Sequence, residues 1–273
     1  MTDQNSDAVF AGSVPDAYER FLVPLIFESY ADDLATRVAQ SSPRSVLEVA
    51  AGTGVLTRAL STTLDVDVRI TATDLNPGMI ERARAVGTSR AVRWEQADVM
   101  RLPFDDGSFD AVACQFSAMF FPDRPSAYAE INRVLRDRGT FAFNVWDRIA
   151  TNEFADTVTS ALGELFPEDP PMFLARTPHG YHDEVTIRAD LASAGFNEPA
   201  TIEALERRSR AASADLPAIA YCRGTPLNDE LRSRTEHSVD DATAHVTRRL
   251  TERFGAADLD SKIRGLVITA TSP

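Results

Sequence analysis

Two glycines that follow a glutamate form the first group of residues able to approach a ligand. Glu48, Gly52 and Gly54 lie at the end of an apolar stretch, residues 45–50, that predicts a buried strand with a helix directly after it. Glycine lets the backbone turn tightly and come close to a bound molecule. A dinucleotide-binding fingerprint would need a further glycine where Thr57 stands, so a pyrophosphate-binding turn is poorly matched and a purely structural turn stays open.

Two acids follow the next two predicted strands. Asp74 ends the predicted strand 68–74, and a carboxylate there can accept hydrogen bonds from both hydroxyls of a ribose. It could instead cap the following helix, although Asn76 fits that role better. Asp98 follows the third predicted strand, where it could recognise the amino group of adenine or be an ordinary surface acid.

Strand and helix patterns alternate from residue 45 onward and determine where these residues lie. Helices are predicted at Val55–Thr63, at Pro77–Val86 and at 125–136, the last of them ended by Gly139. Single helices between successive strands imply mostly parallel pairing, so we predict a doubly wound α/β fold with a seven-stranded sheet. The predicted strands are 45–50, 68–74, 91–95, 109–114, 140–146, 201–207 and 263–270.

The remaining segments are expected to cover the carboxyl edge of the sheet, where ligands bind in such folds. Residues 15–40 are predicted as helices broken at Pro24, and further helices are predicted at 153–166, at 184–194 and within 214–254. The predicted domains are an N-terminal helical cap (1–40), a cofactor-binding core (41–150), a lid (151–198) and C-terminal strands with intervening helices (199–273).

The glycine turn, the two acids and the segments after them occur in an order typical of one enzyme family. Residues 45–146 resemble the class I S-adenosylmethionine-dependent methyltransferases. The stretch 102–110 and the helix that leads to Gly139 resemble more narrowly the ubiquinone/menaquinone-type small-molecule group, which carries a type 11 methyltransferase domain. One departure is Ala50, which replaces the family's first motif glycine and should narrow the space near the methionine moiety of the cofactor.

The resemblance implies roles for individual residues. Asp74 would bind the ribose and Asp98 the adenine, while Arg20 could pair with the carboxylate of the cofactor. The full set of implied S-adenosyl-L-methionine contacts is Tyr18, Arg20, Glu48, Ala50, Gly52, Gly54, Asp74, Leu75, Met79, Ala97, Asp98, Val99, Gln115 and Phe116.

Aromatic and sulfur-containing side chains are expected to form the acceptor pocket, which indicates a small apolar or aromatic metabolite. The predicted substrate contacts are Phe21, Met119, Phe120, Tyr181 and Tyr221. His179 and His182, on the predicted lid, are the candidate general bases, and a structural role in the loop is the alternative for both. An amine or a stabilised carbanion would need little help from a base.

Composition excludes several other classes of function. Lys+Arg 28 against Asp+Glu 41 gives a net charge of −13, which disfavours nucleic-acid and anionic-membrane partners. Lys262 is the single lysine, which disfavours Schiff-base chemistry. Cys114 and Cys222 are too few and too far apart in sequence for a disulfide scaffold or a zinc knuckle, so no metal site is predicted. A secretory leader begins with basic residues followed by an apolar stretch, and residues 1–7 are polar and acidic instead, so we expect a cytoplasmic protein. We expect it to be a monomer or a homodimer.

The sequence therefore predicts methyl transfer to a small molecule by direct in-line displacement, a step that depends mainly on alignment and exclusion of water. Two alternatives stay open. One is a protein that binds S-adenosylmethionine without transferring its methyl group, as a sensor or partner subunit. The other, an NAD(P)-dependent oxidoreductase, is less well supported because the further glycine is missing and Asp98 is present.

Overall fold

Seven strands form a single sheet in the computed structural model, which describes residues 14–273. The predicted absence of a leader concerns residues 1–7, which lie outside the described residues. The order is β3-β2-β1-β4-β5-β7-β6, and the strands are β1 (Ser45–Glu48), β2 (Arg69–Asp74), β3 (Arg93–Gln96), β4 (Phe109–Gln115), β5 (Leu135–Trp146), β6 (Thr201–Ser213) and β7 (Ala257–Thr271).

Strands β1 to β5 pair in parallel, whereas β7 runs antiparallel to both β5 and β6. The predicted doubly wound, mostly parallel sheet is confirmed. The helices are α1 (Val14–Ala17), α2 (Glu28–Gln40), α3 (Val55–Thr63), α4 (Pro77–Val86), α5 (Arg124–Val134), α6 (Glu153–Leu165), α7 (Phe173–Arg176), α8 (Glu184–Ser193), α9 (Asp215–Arg223), α10 (Leu227–Arg232) and α11 (Val239–Phe254), with short 3₁₀ turns at Ala118–Phe120 and Ile149–Thr151.

Successive side chains of the central strands enter two different cores, one on each face of the sheet. Val46 packs with α2 and α3, whereas the adjacent Leu47 packs in the core that contains α5 and α8. The same alternation separates Ala142 from its neighbours Phe141 and Phe143. Helices on both faces explain why these strands are almost continuously apolar.

After β1 the chain continues to β2 and β3 on one side of β1, whereas β4 pairs with the other side of β1. The strand order therefore reverses between β1 and β4. Connections diverge at such a point and leave a crevice at the carboxyl ends of the strands. The crevice lies next to the glycine turn that follows β1, as the sequence predicts.

Pro24 does not break the N-terminal helical segment. Residues Tyr18–Phe27 form a π-helix that contains Pro24 and continues directly into α2, and the N–H of Glu28 donates to the carbonyl of Val23. Proline has no N–H and would lose an ordinary helical hydrogen bond, but the wider winding accommodates it. The prediction of two helices broken at Pro24 is therefore wrong.

Strands β6 and β7 extend well beyond the predicted ranges 201–207 and 263–270. Trp146 at the end of β5 pairs with Gly265, and Ser213 pairs with Ala257. The β6–β7 pair therefore rises past the carboxyl edge of the sheet by about eight residues, or roughly 25 Å at the usual rise per residue. The added length alternates charged outer residues with buried inner ones, a pattern typical of a half-covered ribbon.

Helix α5 ends earlier than predicted. It stops at Val134, and Leu135 already has extended geometry as the first residue of β5, so Gly139 lies inside a strand rather than at a helix end. A Cβ atom at Gly139 would lie 2.8 Å from the carbonyl oxygen of Arg136, so glycine is needed there for close packing. The other boundaries within the core differ from the prediction by one or two residues.

No helix in the described part of the chain is long and apolar enough to cross a membrane.

A buried hydrogen bond ties the π-helix to the rising ribbon. Ser209 on β6 donates its hydroxyl hydrogen to the carbonyl of Leu25 at 2.8 Å, and Ser209 is completely buried. We expect Ser209→Ala to lower the free energy of unfolding by about 1–2 kcal/mol, because the carbonyl loses a buried partner. Urea denaturation measures this change. Ser213→Ala, half-buried on the same strand, is the control with an expected change below about 0.5 kcal/mol, and equal losses would contradict the assignment.

Candidate active site

A cavity of about 520 Å³ opens at the carboxyl edge, where the strand order reverses. One half lies past β1, β2 and β3 and is lined by residues of the glycine turn and of the loops after β2 and β3. The other half lies past β4 and β5, beside the part of β7 that contains Ile263, and is covered by the π-helix, by residues 173–179 and by α9. We call these the cofactor half and the acceptor half. The volume lies in the usual range for small-molecule sites.

Asp74 holds the cofactor half together. Its Oδ2 accepts the N–H of Gly52 and its Oδ1 the N–H of Asn76, each at 2.8 Å. Burial raises the pKa of Asp74, and the two backbone N–H groups oppose that rise. A carboxylate offers about four acceptor sites, so two remain for hydroxyls of a ligand. Asn76 is the N-cap residue of α4, and Asp74 binds the N–H of this residue rather than that of the second or third helical residue, so Asp74 is not the helix cap.

The backbone of the glycine turn explains which residues it contains. Gly52 has φ +57° and Ala50 has φ 53°, both in the left-handed region. A Cβ at Gly52 would meet nothing within 4 Å, so the turn needs this glycine for its conformation. Ala50 occupies the same region with a Cβ and carries backbone strain at the cavity wall.

Gly54 and Glu48 are in the predicted motif but do not line the cavity, so their contact with a cofactor stays a prediction, and the structure shows another role for each. A Cβ at Gly54 would lie 2.9 Å from the ring of Trp94, which shows that this glycine allows α3 to pack closely. Glu48 is buried beneath the turn and accepts a hydrogen bond from the hydroxyl of Thr57 at 2.6 Å. Burial raises the pKa of Glu48 to about 8.

An apolar surface with one acid continues the cofactor half. Met79, Ala97 and Val99 line it together with Leu75, whose side chain is 55% exposed. Asp98 is exposed at the same wall, and its Oδ1 accepts the N–H of Met100 at 2.9 Å, which leaves its second oxygen available to a ligand. The arrangement can hold a flat, apolar ring with a hydrogen-bond donor at its edge.

Gln115 and Phe116 lie at the end of β4, between the two halves. Gln115 donates from Nε2 to the carbonyl of Phe27 at 2.9 Å, while its buried Oε1 has no partner among the described residues. Phe116 has φ 48°, and the side chain of Asn144 holds it there by accepting the N–H of Phe116 at 2.9 Å. The left-handed conformation stacks the ring of Phe116 on Trp146 with the centroids 3.7 Å apart.

Aromatic rings form the wall around this junction. Tyr18 stacks on Phe27 with centroids 5.2 Å apart, and Phe27 contacts both Phe116 and Trp146. Tyr18 also lies close enough to Asp74 for the carboxylate, together with burial, to raise the pKa of the phenol. These rings make the wall apolar at this junction and offer π-faces to a positively charged centre.

Among the predicted cofactor contacts, eleven reach the cavity: Tyr18, Ala50, Gly52, Asp74, Leu75, Met79, Ala97, Asp98, Val99, Gln115 and Phe116. Besides Glu48 and Gly54, Arg20 does not. Arg20 is exposed, and its guanidinium lies over the ring of Phe21, 5.0 Å from the centroid. The π-helical winding places Tyr18 and Leu22 on the cavity wall instead, and the pairing of Arg20 with a cofactor carboxylate stays a prediction.

Two predicted substrate contacts, Phe120 and Tyr221, line the acceptor half, whereas Phe21, Met119 and Tyr181 do not. Met119 is buried in the core, and Tyr181 donates its hydroxyl hydrogen to Asp190 at 2.7 Å. Met119 and Tyr181 are buried and Phe21 is partly buried, and all three pack against the main core instead of the cavity.

The two candidate bases are placed differently. His179 lines the acceptor half, and its ring centroid lies 6.0 Å from that of Trp146. His182 does not line the cavity, and its Nδ1 is bound to the carbonyl of His179 at 2.8 Å. His182 therefore has the structural role in the loop that was its alternative.

Several lining residues were not predicted. Trp146 ends β5 at the carboxyl edge, a position that the rule for open α/β sheets could have marked. Leu22 and Ile26 follow Tyr18 at intervals of four, a spacing that matches the wide π-helical turn but would also suit an ordinary helix. Ser117 lies just beyond Phe116 and donates its hydroxyl hydrogen to the carbonyl of Gln115 at 3.1 Å.

The residues of the cofactor half fit S-adenosylmethionine, the cofactor of the class that the sequence resembles. Asp74 has acceptor capacity left for the ribose, and Leu75 offers an uncovered apolar surface for adenine. The unpartnered Oε1 of Gln115 needs a donor, which the ammonium of the methionine moiety would supply. No cluster of three or more His, Cys, Asp or Glu in residues 14–273 could hold a metal ion.

Residues 47–143 match the family model described as "Methyltransferase domain". A demethylmenaquinone methyltransferase of Deinococcus radiodurans is 32% identical over 162 residues, which cover 58% of this chain and 64% of the relative. A ubiquinone/menaquinone biosynthesis C-methyltransferase of Idiomarina loihiensis is 26% identical over 174 residues, which cover 56% of this chain and 66% of the relative. The chain thus spans less than two thirds of these two relatives.

The fold likewise matches a solved structure of a candidate methyltransferase from Bacillus halodurans C-125, with a TM-score of 0.57 and 19% identity over 90% of this chain and 99% of that one. Residues 47–143 thus match a methyltransferase domain, and the resemblance of this part of the chain to the ubiquinone/menaquinone-type group is confirmed.

The strained backbone at Ala50 gives a first prediction for the site. We expect Ala50→Gly to raise the free energy of unfolding by about 0.5–1 kcal/mol, because relief of left-handed strain of about 1–2 kcal/mol exceeds the added freedom of the unfolded chain. Ala51→Gly is the control, since Ala51 has no positive φ and should lose stability instead. Thermal unfolding of both variants decides, and a loss in both would contradict the interpretation.

The buried Glu48 gives a pH-dependent prediction. Its pKa is about 8 in the folded protein and near 4.5 when unfolded, so the folded state retains a proton that the unfolded state releases in this window. The stabilising effect of that proton is complete below pH 4.5 and is lost as the pH rises to 8 and beyond. Relative to Glu48→Gln, the wild type should lose up to about 1.4 kcal/mol per pH unit between pH 5 and 8.

Urea denaturation at several pH values measures this difference. Glu198→Gln, at an exposed position, is the matched control and should run parallel to the wild type. Parallel curves for wild type and Glu48→Gln would show that the Glu48 carboxyl titrates normally.

Proposed function

We propose that this protein transfers a methyl group from S-adenosylmethionine to a small-molecule acceptor. The observation that carries the proposal is the division of one cavity into two chemically different halves that meet at Gln115 and Phe116. The cofactor half holds two acids and an apolar surface, while the acceptor half is mostly apolar and aromatic. The domain that forms the cofactor half is the one that matches the methyltransferase family.

On the cofactor half, each residue has a role that follows from its position. Asp74 accepts the ribose hydroxyls with the acceptor sites that Gly52 and Asn76 leave, and Asp98 accepts the adenine amino group. The Oε1 atom of Gln115 accepts a hydrogen bond from the ammonium group of the methionine moiety. When bound, S-adenosylmethionine supplies a methyl group on a sulfonium sulfur that a nucleophile can displace in line.

The acceptor half aligns the acceptor with the methyl group and excludes water from the reacting atoms. The stacked pairs Tyr18–Phe27 and Phe116–Trp146 hold the junction rigid, and Phe120 with Phe173 closes the apolar side. Positioning of two reactants and exclusion of water supply much of the rate enhancement in such displacements. A dedicated catalytic motif is not required for this part of the reaction.

The acceptor is small, uncharged and largely apolar. No side chain that lines the cavity in residues 14–273 is a Lys or Arg, and residues 1–13 contain neither type. An acceptor with a carboxylate or phosphate would be buried there without a partner, at a large energetic cost. The two relatives have names from menaquinone and ubiquinone biosynthesis, which favours an acceptor with a ring that can lie against aromatic side chains.

We also propose a lid, a location and an oligomeric state for this protein. Residues 151–198 act as a lid, since His179 and Phe173 from this segment cover the acceptor half. A cytoplasmic monomer or homodimer that acts without nucleic acid or membrane is consistent with the acidic net charge of −13.

Cofactor binding tests the proposal directly. We expect Asp74→Asn to weaken the binding of S-adenosylmethionine at least tenfold, because hydrogen bonds to a charged acceptor contribute about 1.5–3 kcal/mol each. Isothermal titration measures the dissociation constant. Asp67→Asn removes the same charge from an exposed position before β2 and should leave binding unchanged.

A wild-type protein that bound neither S-adenosylmethionine nor its demethylated product would refute the proposed function. A mass-shift screen of uncharged ring compounds with methyl-labelled cofactor then separates a transferase from a protein that only binds the cofactor. The transferase yields a labelled product, and a binding protein returns the cofactor intact.

A further inference from the structure

His179 is a histidine on the wall of the acceptor half. It is 6% exposed, lines the cavity and lies next to Trp146 at the end of β5. Its Nδ1 is 2.8 Å from the backbone carbonyl of Asp147. A carbonyl can only accept, so Nδ1 must carry the hydrogen and Nε2 must carry a lone pair in the neutral ring.

The surroundings keep this ring neutral. Burial, with a smaller contribution from the nearby His182, lowers the pKa of His179 to about 4. The hydrogen bond to the backbone of Asp147 opposes this effect, and so does the Asp147 carboxylate, which Arg264 partly neutralises from 3.1 Å. Nε2 is therefore an acceptor at neutral pH, and it makes no hydrogen bond to any group within residues 14–273.

The other polar side chains of the acceptor half are engaged or cannot accept a proton. Asn152 binds the backbone of Arg264 through both Oδ1 and Nδ2, at 3.0 and 3.1 Å. Thr225 donates to the carbonyl of Tyr221 at 2.7 Å and accepts a backbone N–H at 3.2 Å. The phenol of Tyr221 holds its own proton more firmly because burial raises its pKa. Nε2 of His179 is thus the basic atom in this half.

We propose that the acceptor is methylated on a hydroxyl oxygen, and that this hydroxyl donates its hydrogen bond to Nε2 of His179. The inference rests on the proposed methyl transfer and deepens it by naming the acceptor atom. During the reaction the oxygen forms the new C–O bond while the C–S bond of the sulfonium breaks. The hydroxyl proton passes to Nε2, the positive charge of the sulfonium becomes that of the imidazolium, and the proton then leaves to solvent.

The fixed tautomer allows a substitution that removes one nitrogen and keeps the other. In His179→Asn the amide nitrogen takes the place of Nδ1 and can still donate to the carbonyl of Asp147, while nothing replaces Nε2. His182→Asn is the matched control, because it keeps the donor to the carbonyl of His179 and lies outside the cavity. Tyr221→Phe tests the neighbouring hydroxyl separately.

The probes are 2-naphthol and 2-fluoronaphthalene, which have nearly the same shape but differ in the hydroxyl donor. Each is titrated into the full chain saturated with the demethylated product of the cofactor. We expect the wild type and His182→Asn to prefer 2-naphthol about 3- to 10-fold, and His179→Asn to show no preference while it still binds 2-fluoronaphthalene. Formation of 2-methoxynaphthalene from 2-naphthol and S-adenosylmethionine should fall at least about 100-fold in His179→Asn.

Two results would overturn the inference. One is a wild type that shows no preference for 2-naphthol, and the other is a preference that survives His179→Asn but disappears in Tyr221→Phe. Titration of the wild type and of each variant with S-adenosylmethionine tests the role of His179 separately from the proposed methyl transfer. Intact cofactor binding together with either result refutes the role of His179 alone, whereas loss of cofactor binding in the wild type refutes the proposed function.

Discussion

The site depends on one buried carboxylate. Asp74 holds the N–H groups of Gly52 and Asn76, and so connects the turn after β1 with the start of α4. Burial acts against its charge, and the two backbone donors stabilise it. Because these donors use only half of the acceptor sites, the interaction that shapes the turn also leaves a charged acceptor at the cavity. Structure and ligand binding share one side chain here.

The acceptor half is built from backbone that regular elements do not provide. The π-helix places Tyr18, Leu22 and Ile26 on the cavity, and the left-handed Phe116 turns its ring onto Trp146. Local hydrogen bonds hold these conformations in place, such as that from the N–H of Phe116 to Asn144. Unusual backbone of this kind persists only where the surroundings over-determine it, and it often marks a functional site.

The sequence motif and the ligand-facing surface overlap only in part. Glu48, Gly52 and Gly54 belong to one short motif, yet only Gly52 reaches the cavity. Glu48 supports α3 through Thr57, and Gly54 makes room for Trp94. A motif records every residue that a turn needs, including those that pack behind it, because the turn would fail without either kind.

The sequence by itself determined the α/β alternation, the carboxyl ends of β1 to β4 to within two residues, and therefore the edge at which Asp74 and Asp98 lie. These follow from local hydrophobic period and from the rule that parallel strands need crossover helices. Only the tertiary structure decided that Arg20 faces solvent, that His182 supports a loop and that His179 lines the cavity with its Nδ1 held by the carbonyl of Asp147. Those outcomes depend on packing between elements far apart in the chain. No local sequence pattern specifies which side of the π-helix or of residues 151–198 lies against the cavity.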